Sequence, residues 1–198
     1  LFDGDLILED INDVNLQNGD VNGSIILLGS IPNLKINSNF NVDGYFQIGH
    51  SLFPSNATVN INISSESDGY ALNNISMVNT CSLTFSNQTF KSANNANISI
   101  NELSQINFLN GAIFSSGSTI DVGLGTLNSE AGIVLDDNSS LNLNYNGSNN
   151  GTINISSGLL DLSASNAQLN LTGFPTNSNG SVNFGNLGDN SDTIDENK

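Results

Sequence analysis

Three kinds of side chain in this sequence could carry chemistry: carboxylates, one imidazole and one thiol. The 198-residue chain holds 19 Asp and Glu but a single His and a single Cys. Acid–base catalysis needs paired groups within hydrogen-bond reach of the same substrate atoms. Asp136-Asp137 is the densest internal pair, yet neighbours on a strand point to opposite faces, so the two can face one substrate only from a turn. His50, after Gln47-Ile48-Gly49, reads as a turn or surface residue rather than a base. Cys81 lies in an alternating apolar run, Met77 to Phe85, and reads as a buried structural thiol. As the lone cysteine it can form no intrachain disulfide, and one His with one Cys falls short of a zinc ligand set. No catalytic residue and no cofactor is therefore expected.

The oxygen ligands that remain would suit only calcium. Asp3 and Asp5, near Glu9, Asp10 and Asp13, and Asp189 and Asp192, near Asp195 and Glu196, are the candidates. Neither cluster has the EF-hand pattern, since the run from Asp189 lacks the central Gly and the distal Glu. The preferred reading is a solvated acidic end, with 187–198 an exposed tail or linker after a single repetitive domain, 1–186. Asn-x-Ser/Thr occurs at twelve positions, and Asn146 and Asn150, in a turn, are the best glycan acceptors if the host glycosylates.

Charge narrows the partners. Net charge is −16, with Lys35, Lys91 and Lys198 as the only bases and no Arg. Phosphate neutralisation needs Lys and Arg, so nucleic-acid binding is not expected. No apolar run approaches the roughly 18 residues of a membrane span. The start at Leu1, with no leader pattern, reads as a processed protein or an excised segment.

The elements that would position these residues are short strands. Apolar residues alternate with polar ones at Val59–Ile63, Leu83–Phe85, Ile98–Ile100, Ile106–Phe108, Ile120–Val122, Leu141–Tyr145, Ile153–Ile155, Leu169–Leu171 and Val182–Phe184. Helical periodicity is nearly absent; its nearest approach is 72–78. The three prolines, Pro32, Pro54 and Pro175, are placed in turns. In the second half, strand centres near 99, 121, 142, 161 and 183 suggest a period of about 20 residues, with strands near 107, 134, 154 and 170 on other faces. The fold expected is all-β, a right-handed parallel β-solenoid with coils of about 20 residues. About ten such coils would make a rod near 45–50 Å. The alternative is an antiparallel β-sandwich.

The solenoid also accounts for an oddity of composition. The chain holds 37 Asn, many inside strands, where Asn is ordinarily depleted. In stacked coils, outward Asn142, Asn144 and Asn154 can bond the amides of adjacent coils as ladders. An uncharged ladder avoids the repulsion that a column of like charges would suffer. The ten Phe are assigned to the core.

The Asn/Ser/Gly-rich short-strand repeats, as in Gly151 to Gly173, together with scarce Lys and Cys, resemble the passenger domains of type V secreted bacterial proteins, the autotransporter and filamentous-haemagglutinin-like adhesins. That resemblance implies a right-handed β-solenoid, an extracellular or cell-surface location, and adhesion to host or surface glycans or proteins. The alternative is a self-assembling subunit of an extracellular filament, sheath or viral fibre, with other copies of the chain as partners. Pectin-cleaving β-helix hydrolases use several Asp, a Gly-His pair and an Arg/Lys pair. Here Gly49-His50 precedes Asp136-Asp137, the reverse order, and Arg is absent, so no enzyme is expected.

Overall fold

The computed structural model describes residues 1–37, 39–51, 56–101, 103–144, 151–172 and 183–184. Every strand pairing in it is parallel. The chain is a parallel β-solenoid, and the antiparallel sandwich is excluded. Each coil has three sides. The first side is an eight-stranded sheet of Leu6–Glu9, Ile25–Leu28, Phe46–Ile48, Asn74–Met77, Asn97–Ile100, Thr119–Gly123, Ser140–Asn144 and Gln168–Thr172. The second is likewise eight strands deep: Asp13–Leu16, Ser30–Ile36, Thr58–Asn62, Ser82–Ser86, Gln105–Phe108, Thr126–Ser129, Thr152–Ile155 and Asn183–Phe184. The third side begins as the pair Asp20–Val21 and Asn41–Val42. After a 3-10 turn at Glu66–Ala71 it becomes a four-stranded sheet, Phe90–Lys91, Ala112–Phe114, Ile133–Leu135 and Leu160–Asp161.

Residues in register on the first side run Leu6, Ile25, Phe46, Ile75, Ile98, Ile120, Leu141, Leu169, so successive coils take 19, 21, 29, 23, 22, 21 and 28 residues. A fixed period near 20 overcounts: among the described residues eight coils stack, rather than about ten over the chain. Seven steps of ~4.8 Å give a stack of about 34 Å, shorter than expected. The long coils also shift the later assignments. Residue 142 continues to 170, not 161, which lies on the third side, and 183 stacks on 154 on the second. Pro32 lies inside the strand Ser30–Ile36 rather than in a turn. The register shifts between Ile31 and Leu34, and that bulge accommodates a residue with no N–H to give the ladder. Pro54 and Pro175 lie outside the described residues.

Period-two alternation fills the interior. Val59, Leu83, Ile106, Leu127 and Ile153 form one fully buried column of the second side; Ile25, Phe46, Ile75, Ile98, Ile120 and Leu141 form another on the first. Phe85 and Phe108 stack with ring centroids 5.2 Å apart and planes 5° apart; Phe90 lies 4.5 Å from Phe85 and Phe114 5.8 Å from Phe108. Stacking identical coils puts like rings together at distances where aromatic pairs attract. The segment expected to come nearest to a helix is strand at Asn74–Met77. The 3-10 turn lies just ahead of it, held by the Asp68 carboxylate, which accepts the N–H groups of Ser64 and Ser65 at 2.8 and 2.9 Å.

One corner repeats with particular regularity. Asn95, Gly117, Asn138 and Asn166 each sit there with φ between 56° and 76°. Only Gly and Asn take that left-handed conformation at low cost. Beside them the hydroxyls of Ser92, Ser115, Ser118 and Ser139 are buried. Ser115 donates to the Ser92 carbonyl at 2.7 Å and Ser139 to the Ser115 carbonyl at 3.0 Å, satisfying turn carbonyls that no strand can reach.

Candidate interaction surface

Side chains that leave the core outward on the second side form two straight columns. One is Thr58, Ser82, Gln105, Thr126 and Thr152; the other is Asn60, Thr84, Asn107, Asn128 and Asn154. No charged residue occurs in either across five coils, in a chain of net charge −16. The Asn column is bonded from Asn154 to Thr84: Asn154 Nδ2 donates to Asn128 Oδ1 at 2.8 Å, Asn128 to Asn107 at 2.8 Å, and Asn107 to Thr84 Oγ1 at 3.2 Å. The parallel register fixes this geometry, because it sets identical side chains one strand spacing apart. Each bond contributes about 0.5–1.5 kcal/mol and offsets the poor strand propensity of Asn.

On the first side the outward column is Ser76, Ser99, Asp121, Asn142 and Asn170. Asn170 donates to Asn142 at 2.9 Å. The ladder ends there, since Asp121 lies at a bulge and turns its Oδ1 to the N–H of Gly123. Of the expected ladder residues, then, Asn142 and Asn154 sit in bonded columns on different sides. Asn144 lies at the end of its strand, paired with Thr172; its side chain is outside the described residues. At the regular corner Asn166 donates to Asn138 at 3.0 Å. In every one of these bonds the later coil donates and the earlier coil accepts.

The acids have a comparable role. Asp3 Oδ1 accepts from Asn22 Nδ2 at 2.6 Å, Asp20 from Asn41 at 2.8 Å, and Asp5 and Asp10 accept the N–H groups of Ser24 and Ser30 at 2.8 Å. Asp137 accepts the N–H of Ser165 at 2.9 Å. These carboxylates hold the corner of the next coil. Asp136 and Asp137 do lie in a turn. Among the described residues, no group of three or more His, Cys, Asp or Glu gathers to hold a metal. Asp189, Asp192, Asn146 and Asn150 lie outside the described residues, as does the 187–198 tail.

His50 is half-buried, and its carbonyl accepts from Asn79 Nδ2 at 2.7 Å. Cys81 is buried and free, its thiol donating to the Val78 carbonyl at 2.8 Å; burial pushes the thiol above its ordinary range. The buried corner serines and the acid-to-next-coil bonds do not follow from strand alternation. Their signal is a small residue directly after each left-handed one: Asn95-Ala96, Gly117-Ser118, Asn138-Ser139 and Asn166-Ala167.

The arrangement offers flat, repetitive, uncharged polar faces on a rigid stack. Fold and surface together define a parallel β-solenoid with amide ladders. Compared with protein-family models, curated proteins and solved structures, the chain gives no match in any of the three.

Proposed function

We propose that this chain is a non-enzymatic rod segment of an extracellular surface protein, mediating attachment to surfaces or contact between cells. The observation that carries the reading is the uncharged second face, ordered over five coils and backed by a dry core. Such a face buries its own polar groups in ladders yet keeps outward donors and acceptors at a regular spacing. It suits broad, shallow contact rather than enclosure of a substrate. The likeness in style to type V passenger domains supports the same reading, because a disulfide-free repeat can fold coil by coil. The test is attachment of beads coated with the purified chain to cell and glycan surfaces, against beads coated with a charge-matched control. Retention equal to the control, or release of reducing sugar from polysaccharides, would sink the proposal.

A second reading is a self-assembling subunit of an extracellular filament, sheath or viral fibre, favoured by the all-parallel stacking of the two eight-stranded sheets, which further parallel strands from another copy could extend. Such a subunit would give polymers in negative-stain images of the purified chain, and uniformly single particles would exclude it.

A further inference from the structure

The third side carries a stripe unlike the other two. From the fourth to the seventh coil its outward positions are Lys91, Ile113, Val134 and Asp161, in register. The sequence Lys, Ile, Val, Asp is apolar in the middle with opposite charges at its ends. Leu159, 47% exposed, borders it. Lys91 is one of only two lysines among the described residues and has no ion-pair partner among them. Nor can Asp161 reach it within one molecule, because three coil spacings separate them, about 14 Å.

We propose that this stripe is a two-fold interface between two copies of the chain, lying side by side with their solenoid axes antiparallel. A two-fold axis along the strand direction, between the Ile113 and Val134 strands, sets Ile113 of one copy on Val134 of the other. The same rotation brings each Lys91 onto the other copy's Asp161. The stripe is thus self-complementary, as an isologous contact requires. Ser163 donates to the Asp161 carboxyl from both its N–H and its hydroxyl and holds it below the usual carboxylate range, so it is ionised wherever Lys91 is. The other faces lack this property: over its five later coils the outward columns of the second side are uncharged, and the first coil is rimmed by Glu9, Asp10 and Asp13 with no base. Two copies at −16 repel overall, but at about 0.15 M salt the Debye length is about 8 Å, and distant charges are screened more than touching ones. The contact is small, so it belongs with transient interfaces of micromolar or weaker affinity.

This inference does not depend on the adhesion reading. The experiment is sedimentation equilibrium of the whole chain at 0.15 M salt over micromolar to millimolar concentrations. A monomer–dimer equilibrium is expected. Lys91→Asp and Asp161→Lys should each weaken it at least tenfold, and the double exchange should restore it, since the pairs then re-form with signs reversed. All four positions are outward, so circular dichroism should show each variant folded. A monomer at every concentration would overturn the proposal. So would a dimer indifferent to both single exchanges, which would place the contact elsewhere.

Discussion

Asn128 is the middle member of the longest amide ladder, and replacing it tests whether the ladder stabilises the fold. Asn128→Ala removes two bonds, the donation to Asn107 and the acceptance from Asn154, both 2.8 Å long. Each is worth about 0.5–1.5 kcal/mol. The site is half-buried, so the groups left behind still reach water and the full desolvation penalty does not apply. Ala and Asn are both poor strand formers, so intrinsic propensity nearly cancels. The expected loss is about 2 kcal/mol. Asn97→Ala is the control: Asn97 is exposed, sits in a strand and has no ladder bond, and its loss should stay within about 0.5 kcal/mol. With a urea m-value near 2 kcal/mol/M, the midpoint followed by circular dichroism should fall about 1 M for Asn128→Ala and hardly move for Asn97→Ala. Asn107→Ala combined with Asn128→Ala should cost less than the sum of the two, because they share one bond, by about 0.5–1.5 kcal/mol. Equal midpoints for Asn128→Ala and Asn97→Ala, or strict additivity in the cycle, would show that the ladder is a by-product of stacking and contributes no stability.

Phe108→Ala should cost about 3–5 kcal/mol, since Phe108 is fully buried among Phe85, Phe90 and Phe114; a loss under about 1.5 kcal/mol in thermal or urea unfolding would contradict the close-packed ring stack. Gly117→Ala should lower stability by about 1 kcal/mol because of its left-handed φ of 76°, whereas Gly117→Asn should hold or raise it. The new amide would join Asn95 and Asn138 once the Asn95 side-chain oxygen, which would meet the added Cβ, swings aside; melting temperatures ranking Ala above Asn would refute this. Cys81 has its thiol pKa raised by burial, so its stability contribution is full below the unfolded value near 9.0 and is lost as pH rises through the higher folded value. Wild type should therefore lose stability above pH 9 relative to Cys81→Ala, and a thiol reagent at pH 8 should label Cys81 only on unfolding; rapid labelling of the native chain would contradict its burial.

What could be read from sequence was what depends on residue alternation. Val59-Asn60-Ile61 and Ile153-Asn154-Ile155 announce strands with one dry face, and their Asn content makes sense only where coils stack in parallel. The placements of the buried Phe and of Cys81 follow from the same alternation; Phe2, also assigned to the core, is instead 46% exposed, because it lies before the first strand. Coil length was not legible, because a corner can lengthen without disturbing the register above and below it. The stretches between Ile48 and Thr58 and between Asn144 and Thr152 therefore break the count, and a fixed period puts residues 161, 170 and 183 on the wrong sides. The acids misled in another way. Asp3 and Asp5 look like ligands in sequence, since nothing there shows that their hydrogen-bond donors arrive 19 residues later.

The uniform direction of the amide bonds has an electrical consequence. In a parallel sheet, backbone groups point alternately toward the coil above and the coil below, and their dipoles largely cancel. The amide bonds of Asn170, Asn166, Asn154, Asn41 and Asn22 do not alternate; each turns its N–H toward the first coil. Their dipoles add along the stack, positive toward the start of the chain, much as peptide dipoles add in a helix. Near that pole the chain places Asp3 and Asp20, as the acceptors of two separate bonds of the same direction, from Asn22 and Asn41. The solenoid is therefore an axially polarised object, and an external field or a charged surface would select which of its ends points outward.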